Sequence, residues 1–226
     1  MNKWTRKITI LILIVGFTIF LYVGFLIAFR YNPDDAIFVE TLNNPLTRPL
    51  PTQQNFTIST LNVKSGISVL DFVQVDEVIN NITFLAEDIL AEKNDFIFLQ
   101  ELDKRSTRSQ NINQLLLLTN MLSMYGYSSA SNVKINYLVL PMGPYEGIVN
   151  QNLVNLSKYT VVESTRVKLP VDFPWYKTVI APDDAMLISR IKTTAGPELV
   201  LINLQIIRLI ATYIRFSKGN WVKIKV

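Results

Sequence analysis

One carboxylate in the chain is set where it could do chemistry. Glu101 closes the run Asp95-Phe96-Ile97-Phe98-Leu99-Gln100-Glu101-Leu102-Asp103. The run is short, apolar, rich in Phe and Ile, and follows an amphipathic helical pattern, so it reads as a buried strand. A lone acid where an α/β sheet presents its strand ends can bind a hard cation such as Mg²⁺ through oxygen. The same residue also fits a plain solvated turn. With no cysteine and no histidine in 226 residues, disulfides, Cys-ligated zinc, a thiol nucleophile and the commonest general base are all excluded.

The elements that must position Glu101 follow from hydropathy. Phe56-Thr57-Ile58-Ser59-Thr60-Leu61 alternates as a half-buried strand does, with Asn62 at its end. In Asp76–Asn94, Val78, Ile79, Ile82, Leu85, Ala86, Ile89 and Leu90 recur at spacings of three and four, which predicts a helix with Asp76 as its cap. Strand, helix and strand in this order predict two neighbouring strands in one sheet, ending at Asn62 and Glu101. A second helix is expected from about Ser109 to Leu122, with Gly126 to stop it. Later come the β-favouring runs Asn136–Leu140, Leu153–Leu156, Thr160–Leu169, Ala185–Ile191 and Glu198–Leu204. The expected fold class is α/β, layered.

Residues 8–29 are free of charge and, at about 1.5 Å per residue, long enough to cross a bilayer core of roughly 30 Å. Lys3, Arg6 and Lys7 precede this segment, and Asp34, Asp35 and Glu40 follow it, which places residues 1–7 in the cytoplasm and the rest outside. No small-x-small cleavage site ends the segment, so an uncleaved, single-pass signal anchor in the cell membrane is expected. Residues 30–55, with Pro33, Pro45, Pro49 and Pro51, read as an extended tether. The net charge of +4 is concentrated in residues 206–226, which hold five bases and no acid, leaving 17 bases and 18 acids elsewhere. No basic groove for a polyanion is visible in the body.

Taken in order, Thr60-Leu61-Asn62, the helix, Phe98-Leu99-Gln100-Glu101-Leu102-Asp103 with Ser106-Thr107-Arg108, Leu153-Val154-Asn155-Leu156-Ser157-Lys158-Tyr159, Ala185–Ile191 and Leu199–Leu204 resemble the endonuclease/exonuclease/phosphatase superfamily across residues 56–205. The resemblance implies a four-layer sandwich, here partial: two facing β-sheets flanked by helices. It also implies Mg²⁺-dependent cleavage of phosphate esters in nucleic acid or phospholipid. By the same resemblance Glu101 is the metal carboxylate and Asn62 positions the metal or the phosphate. Arg108 is a candidate phosphate contact, since a guanidinium can bind two oxygens at once, although an ordinary surface arginine fits too.

The family pattern then stops. Where it has a histidine, in Asn-x-His, the chain reads Asn203-Leu204-Gln205, and glutamine is neither acid nor base near neutral pH. The Gly-Asp-x-Asn and Asp-His motifs that supply transition-state stabilisation and the base are absent from the sequence. No catalytic residue is therefore assigned. One expectation for the divergent basic tail is a frameshift or early stop; another is a basic segment lying on anionic lipid. Three functions stay open: an anchored phosphohydrolase, a non-catalytic remnant or binding module that self-associates through an exposed sheet, and a tethered surface protein in which Gln-Glu is coincidence.

Overall fold

Phe96, Phe98 and Gln100 alternate with Ile97 and Leu99, and this period of two divides strand β4 (Phe96–Asp103) between two different interiors. The computed structural model describes residues 2–67, 73–142, 145–170, 184–205 and 222–225. Among the described residues it is an α/β structure of three α-helices and two sheets. Strands β1 (Ala36–Phe38), β7 (Val161–Lys168), β8 (Ala185–Ile191) and β9 (Leu199–Leu204) form a four-stranded sheet in that order. The larger sheet runs β10 (Val222–Lys225), β3 (Thr57–Asn62), β4, β6 (Tyr145–Ser157), β5 (Gly126–Met142), β2 (Thr41–Leu42).

Helix α1 (Lys3–Ala28) precedes the sheets, with no buried residue and a mean hydropathy of 2.9 over its most apolar window. It is long and apolar enough to span a membrane. Helix α2 (Val75–Glu92) is amphipathic as predicted, and it presents Ile82, Leu85, Ala86 and Ile89 to the larger sheet. Gln74, not Asp76, is its N-cap; Asp76 and Glu77 lie in the first turn, where negative charge favours the helix dipole. Lys93 ends it in the left-handed conformation. The second helix, α3 (Gln114–Met121), is shorter than predicted. A 3₁₀ turn occupies Thr107–Ser109, and Asn113 caps α3 by accepting from the Leu116 N–H at 3.2 Å. Gly126 opens β5 rather than stopping the helix.

The parallel pairing of β3 with β4 is as expected, with Ile58 opposite Phe96 and Asn62 opposite Gln100. The later strands are present, and β5 and β6 run longer than their apolar stretches because they pair with each other as a hairpin. Among the described residues helices cover only the larger sheet, so three of the four expected layers are seen.

Residues 30–55 are not a loose tether. β1 pairs with β7 and β2 with β5, Arg48 and Leu50 bridge to Tyr159 and Thr193, and Leu50 is buried against Phe96 and Tyr159. The prolines exclude long strands, yet the short stretches between them have enough unpaired backbone to extend both sheets. Of the basic tail, Val222–Lys225 lies antiparallel on β3, with Val222 opposite Thr60; residues 206–221 and 226 lie outside the described residues.

The two faces of the larger sheet differ in chemistry. Against the helices lie Ile97, Leu99, Leu102, Val154 and Leu156, packed with Leu115 and Leu118 of α3. Between the sheets, small apolar groups such as Phe96–Tyr159–Val161 and Ala130–Leu153–Leu187 alternate with buried polar side chains. Ser128 and Ser164 are 2.7 Å apart, Ser164 donates to Ser189 at 3.0 Å, and Asn155 donates to Ser189 at 2.9 Å. Arg166, fully buried, donates from Nε to the Ser131 carbonyl at 2.7 Å.

Candidate functional site around Glu101

Strict alternation along β4 would send Glu101 toward the helices, on the side of Leu99. A bulge prevents this. The β4–β6 register slips between Leu99 and Leu102, and Glu101 takes a φ of +57°. An extra residue in one strand puts two successive side chains on the same face. Gln100 and Glu101 both reach the polar seam between the sheets, while Leu102 returns to the apolar layer. A positive φ on a non-glycine residue brings Cβ against the backbone, costs of order 1–3 kcal/mol and has to be over-determined by its surroundings.

The surroundings do this. Asn62, at the end of β3, donates from Nδ2 to Glu101 Oε1 at 2.9 Å, and Gln205, just past β9, donates from Nε2 to the same oxygen. Beneath them, Gln100 donates to Asn203 Oδ1 at 2.8 Å and to Thr60 Oγ1 at 3.0 Å. Asn203, 1% exposed, turns its own amide N–H groups to the Leu99 and Val154 carbonyls, each at 3.2 Å. Those carbonyls belong to the last paired residues before the bulge, where the ladder opens. A side chain from the opposite sheet thus satisfies backbone acceptors beside the bulge.

The structure brings Asn62, Glu101 and Gln205 together. It gives Arg108 a different place. The guanidinium grips Asp103 through both of that residue's oxygens, at 3.0 and 2.9 Å, with the Arg108 side chain 8% exposed and that of Asp103 fully buried. A fork already matched to a carboxylate in this way is not presented to a substrate, so Arg108 fixes the loop after β4 instead of contacting a phosphate. Sequence reasoning missed this pairing, although the acid and base lie only five residues apart. It also missed Asn203 as a partner of Gln100; both stood in the motifs, where only their neighbours attracted attention.

A divalent cation has to be tested against these donors. Mg²⁺ takes oxygen ligands, commonly one or two carboxylates with water and substrate phosphate. Among the described residues no cluster of three His, Cys, Asp or Glu could hold a metal. Among the described residues Glu101 is the acid at this centre, and the groups turned toward its Oε1 are amide N–H donors, the wrong polarity for a cation's neighbours. Asn62 Oδ1 accepts the Lys64 N–H at 2.8 Å, so turning that amide over would break a second bond. Gln205 Oε1 is buried without a hydrogen-bond partner, and only a reversal of this amide would offer it as a ligand. As arranged, the described residues do not fit the ion: amide N–H groups occupy the Glu101 oxygen in its place.

No family model and no curated protein matches the chain. Solved structures do. The chain is similar to an endonuclease/exonuclease/phosphatase from Beutenbergia cavernae, with a TM-score of 0.46 and 17% identity over 67% of this chain and 38% of that one. A family protein from Leptotrichia buccalis matches with a TM-score of 0.45 and 13% identity, over 66% of this chain and 54% of that one. ANGEL2, a 2',3'-cyclic phosphatase, matches with a TM-score of 0.41 and 11% identity, over 76% and 44%. The chain therefore spans about half or less of the length of these structures.

Proposed function

We propose that the chain is a membrane-anchored protein of the endonuclease/exonuclease/phosphatase superfamily whose Glu101 centre is impaired or inactive in phosphate-ester hydrolysis. In this reading residues 1–7 are cytoplasmic, α1 is a single-pass signal anchor, and residues 56–205 form the phosphoesterase-like domain outside the cell membrane. One observation carries it: the bulge that turns Glu101 onto Asn62 and Gln205. Asn62 holds the carboxylate in place. Gln205 donates a hydrogen bond where the family pattern has a residue that carries a proton, and an amide can neither take nor release one near neutral pH. The exposed Val200, Ile202 and Leu204 on β9 favour self-association of the outer sheet face.

The full chain in nonionic detergent, given bis-p-nitrophenyl phosphate with Mg²⁺ or Mn²⁺, is expected to release no more product than its Glu101→Ala variant. Turnover by the parent that Glu101→Ala abolishes would defeat the reading and show that the centre is catalytic.

A further inference from the structure

A polar cavity of about 470 Å³ opens between the two sheets beside Tyr31. Neither Asn62, Glu101 nor Gln205 lines it. Its charge is one-sided: Lys104, Arg105, Lys134 and Arg166 face it, against the single carboxylate of Glu40. Glu40 is already held by Lys104 at 2.8 Å and by the Tyr127 hydroxyl at 2.8 Å. The Lys104 hydrogen bond keeps its carboxyl below the usual range, and burial pushes the Tyr127 phenol up to about 12, so Glu40 is charged and Tyr127 neutral near pH 7. The other cations thus face a wall with no further acid among the described lining residues.

Neutral donors are ordered around them. Ser131 donates to Asn150 and Asn152 at 3.2 and 3.3 Å, and Asn152 donates to the Asn150 carbonyl at 3.1 Å. The guanidinium carbon of Arg166 lies 5.6 Å from the centre of the Tyr31 ring, and Lys134 Nζ lies 4.8 Å from it. Tyr31 therefore forms part of the cavity wall while standing three residues beyond the last residue of α1.

That position sets the depth of the cavity. The uncharged residues 8–29 cover a hydrocarbon core of roughly 30 Å, and the polar headgroup zone adds several ångströms on each side. Tyr31 falls in that zone, where tyrosine is favoured. The segment after α1 is tied to the sheets beside the cavity: Asn136 donates to the Phe29 carbonyl, Lys168 Nζ to Asn32 Oδ1 at 3.2 Å, and the Lys168 N–H to the Asp35 carbonyl at 2.7 Å.

We propose that this cavity is a binding site for the phosphate headgroup of an anionic glycerophospholipid in the leaflet that α1 enters beside it. The proposal rests on α1 being a membrane span. It is separate from the Glu101 centre and needs no hydrolysis: Arg105 and Lys134, both exposed, close on the phosphate oxygens from the rim, and the buried Arg166 supplies fixed positive charge from below.

The test is calorimetric titration of the full chain in dodecyl maltoside with dihexanoyl phosphatidylglycerol, beside the Arg105→Ala/Lys134→Ala double variant. Dihexanoyl glycerol and inorganic phosphate serve as comparators. Saturable binding of the phosphatidylglycerol, weakened at least about tenfold in the variant, is expected, since two charge-assisted contacts to the phosphate are lost. Dihexanoyl glycerol should not bind. Equal lipid affinity in parent and variant would overturn the proposal, as would phosphate binding as tightly as the lipid, which would make this a site for the free ion. Alkaline extraction of membranes separates the two premises: release of the chain defeats the anchor, whereas retention with no lipid binding defeats the cavity.

Discussion

The two faces of the six-stranded sheet are built on opposite principles. Toward α2 and α3 the side chains are leucine, isoleucine and valine, held by burial alone. Toward the four-stranded sheet the interior is stitched by Ser128, Ser164, Ser189, Asn155, Gln100 and Asn203, each tied to a named partner. Burial is non-directional and tolerates sliding, so the apolar layer contributes stability without fixing where one sheet sits on the other. A buried hydrogen bond is directional and costly to leave unmade, so the polar seam fixes alignment, and the bulge that presents Glu101 lies at its end.

If this division is right, the layers respond differently to truncation. The largest effect is expected from Leu118→Ala, which opens a cavity beneath α3. Chemical denaturation of the detergent-solubilised chain should show a loss of about 2–5 kcal/mol, with the contacts around Glu101 retained. Asn203→Ala should cost less, about 1–3 kcal/mol, by leaving acceptors beside the bulge unpaired. Its signature is local: amide exchange should accelerate at Leu99–Leu102 while α2 stays protected. An Asn203→Ala loss larger than that of Leu118→Ala, or exchange spread evenly over the sheet, would erase the contrast. The smallest effect is expected outside both layers. Arg190 bridges Glu163 and Glu198 at 2.7 and 2.6 Å, but in solvent, and Arg190→Ala should leave the melting temperature within error.

The apolar layer was legible in the sequence because its signal is periodic. Val78, Ile82, Leu85 and Ile89 repeat at helical spacing, and the β3–α2–β4 order then places Asn62 beside the Gln100-Glu101 pair. The seam was not legible. Serine and asparagine alternating with apolar residues describe a solvated strand face equally well, and nothing local in Asn155-Leu156-Ser157 says that a second sheet will cover it. The bulge was hidden for a related reason: a register slip is a property of two strands, and alternation within β4 points Glu101 the other way. Residues 30–55 were misread as loose because proline argues against strands of ordinary length, whereas two- and three-residue strands evade that rule.

Those short strands determine how the molecule can move. Between Ala36 and Leu42 the chain joins first one sheet and then the other. A flexible leash would let the domain tumble and sample a hemisphere of solution above its anchor. Sewn into both sheets soon after α1, the domain has no such length of free chain between that helix and its strands. With α1 set in a bilayer, as proposed above, so short a coupling would keep the domain close to the surface, and whatever meets Glu101 would have to come to it there.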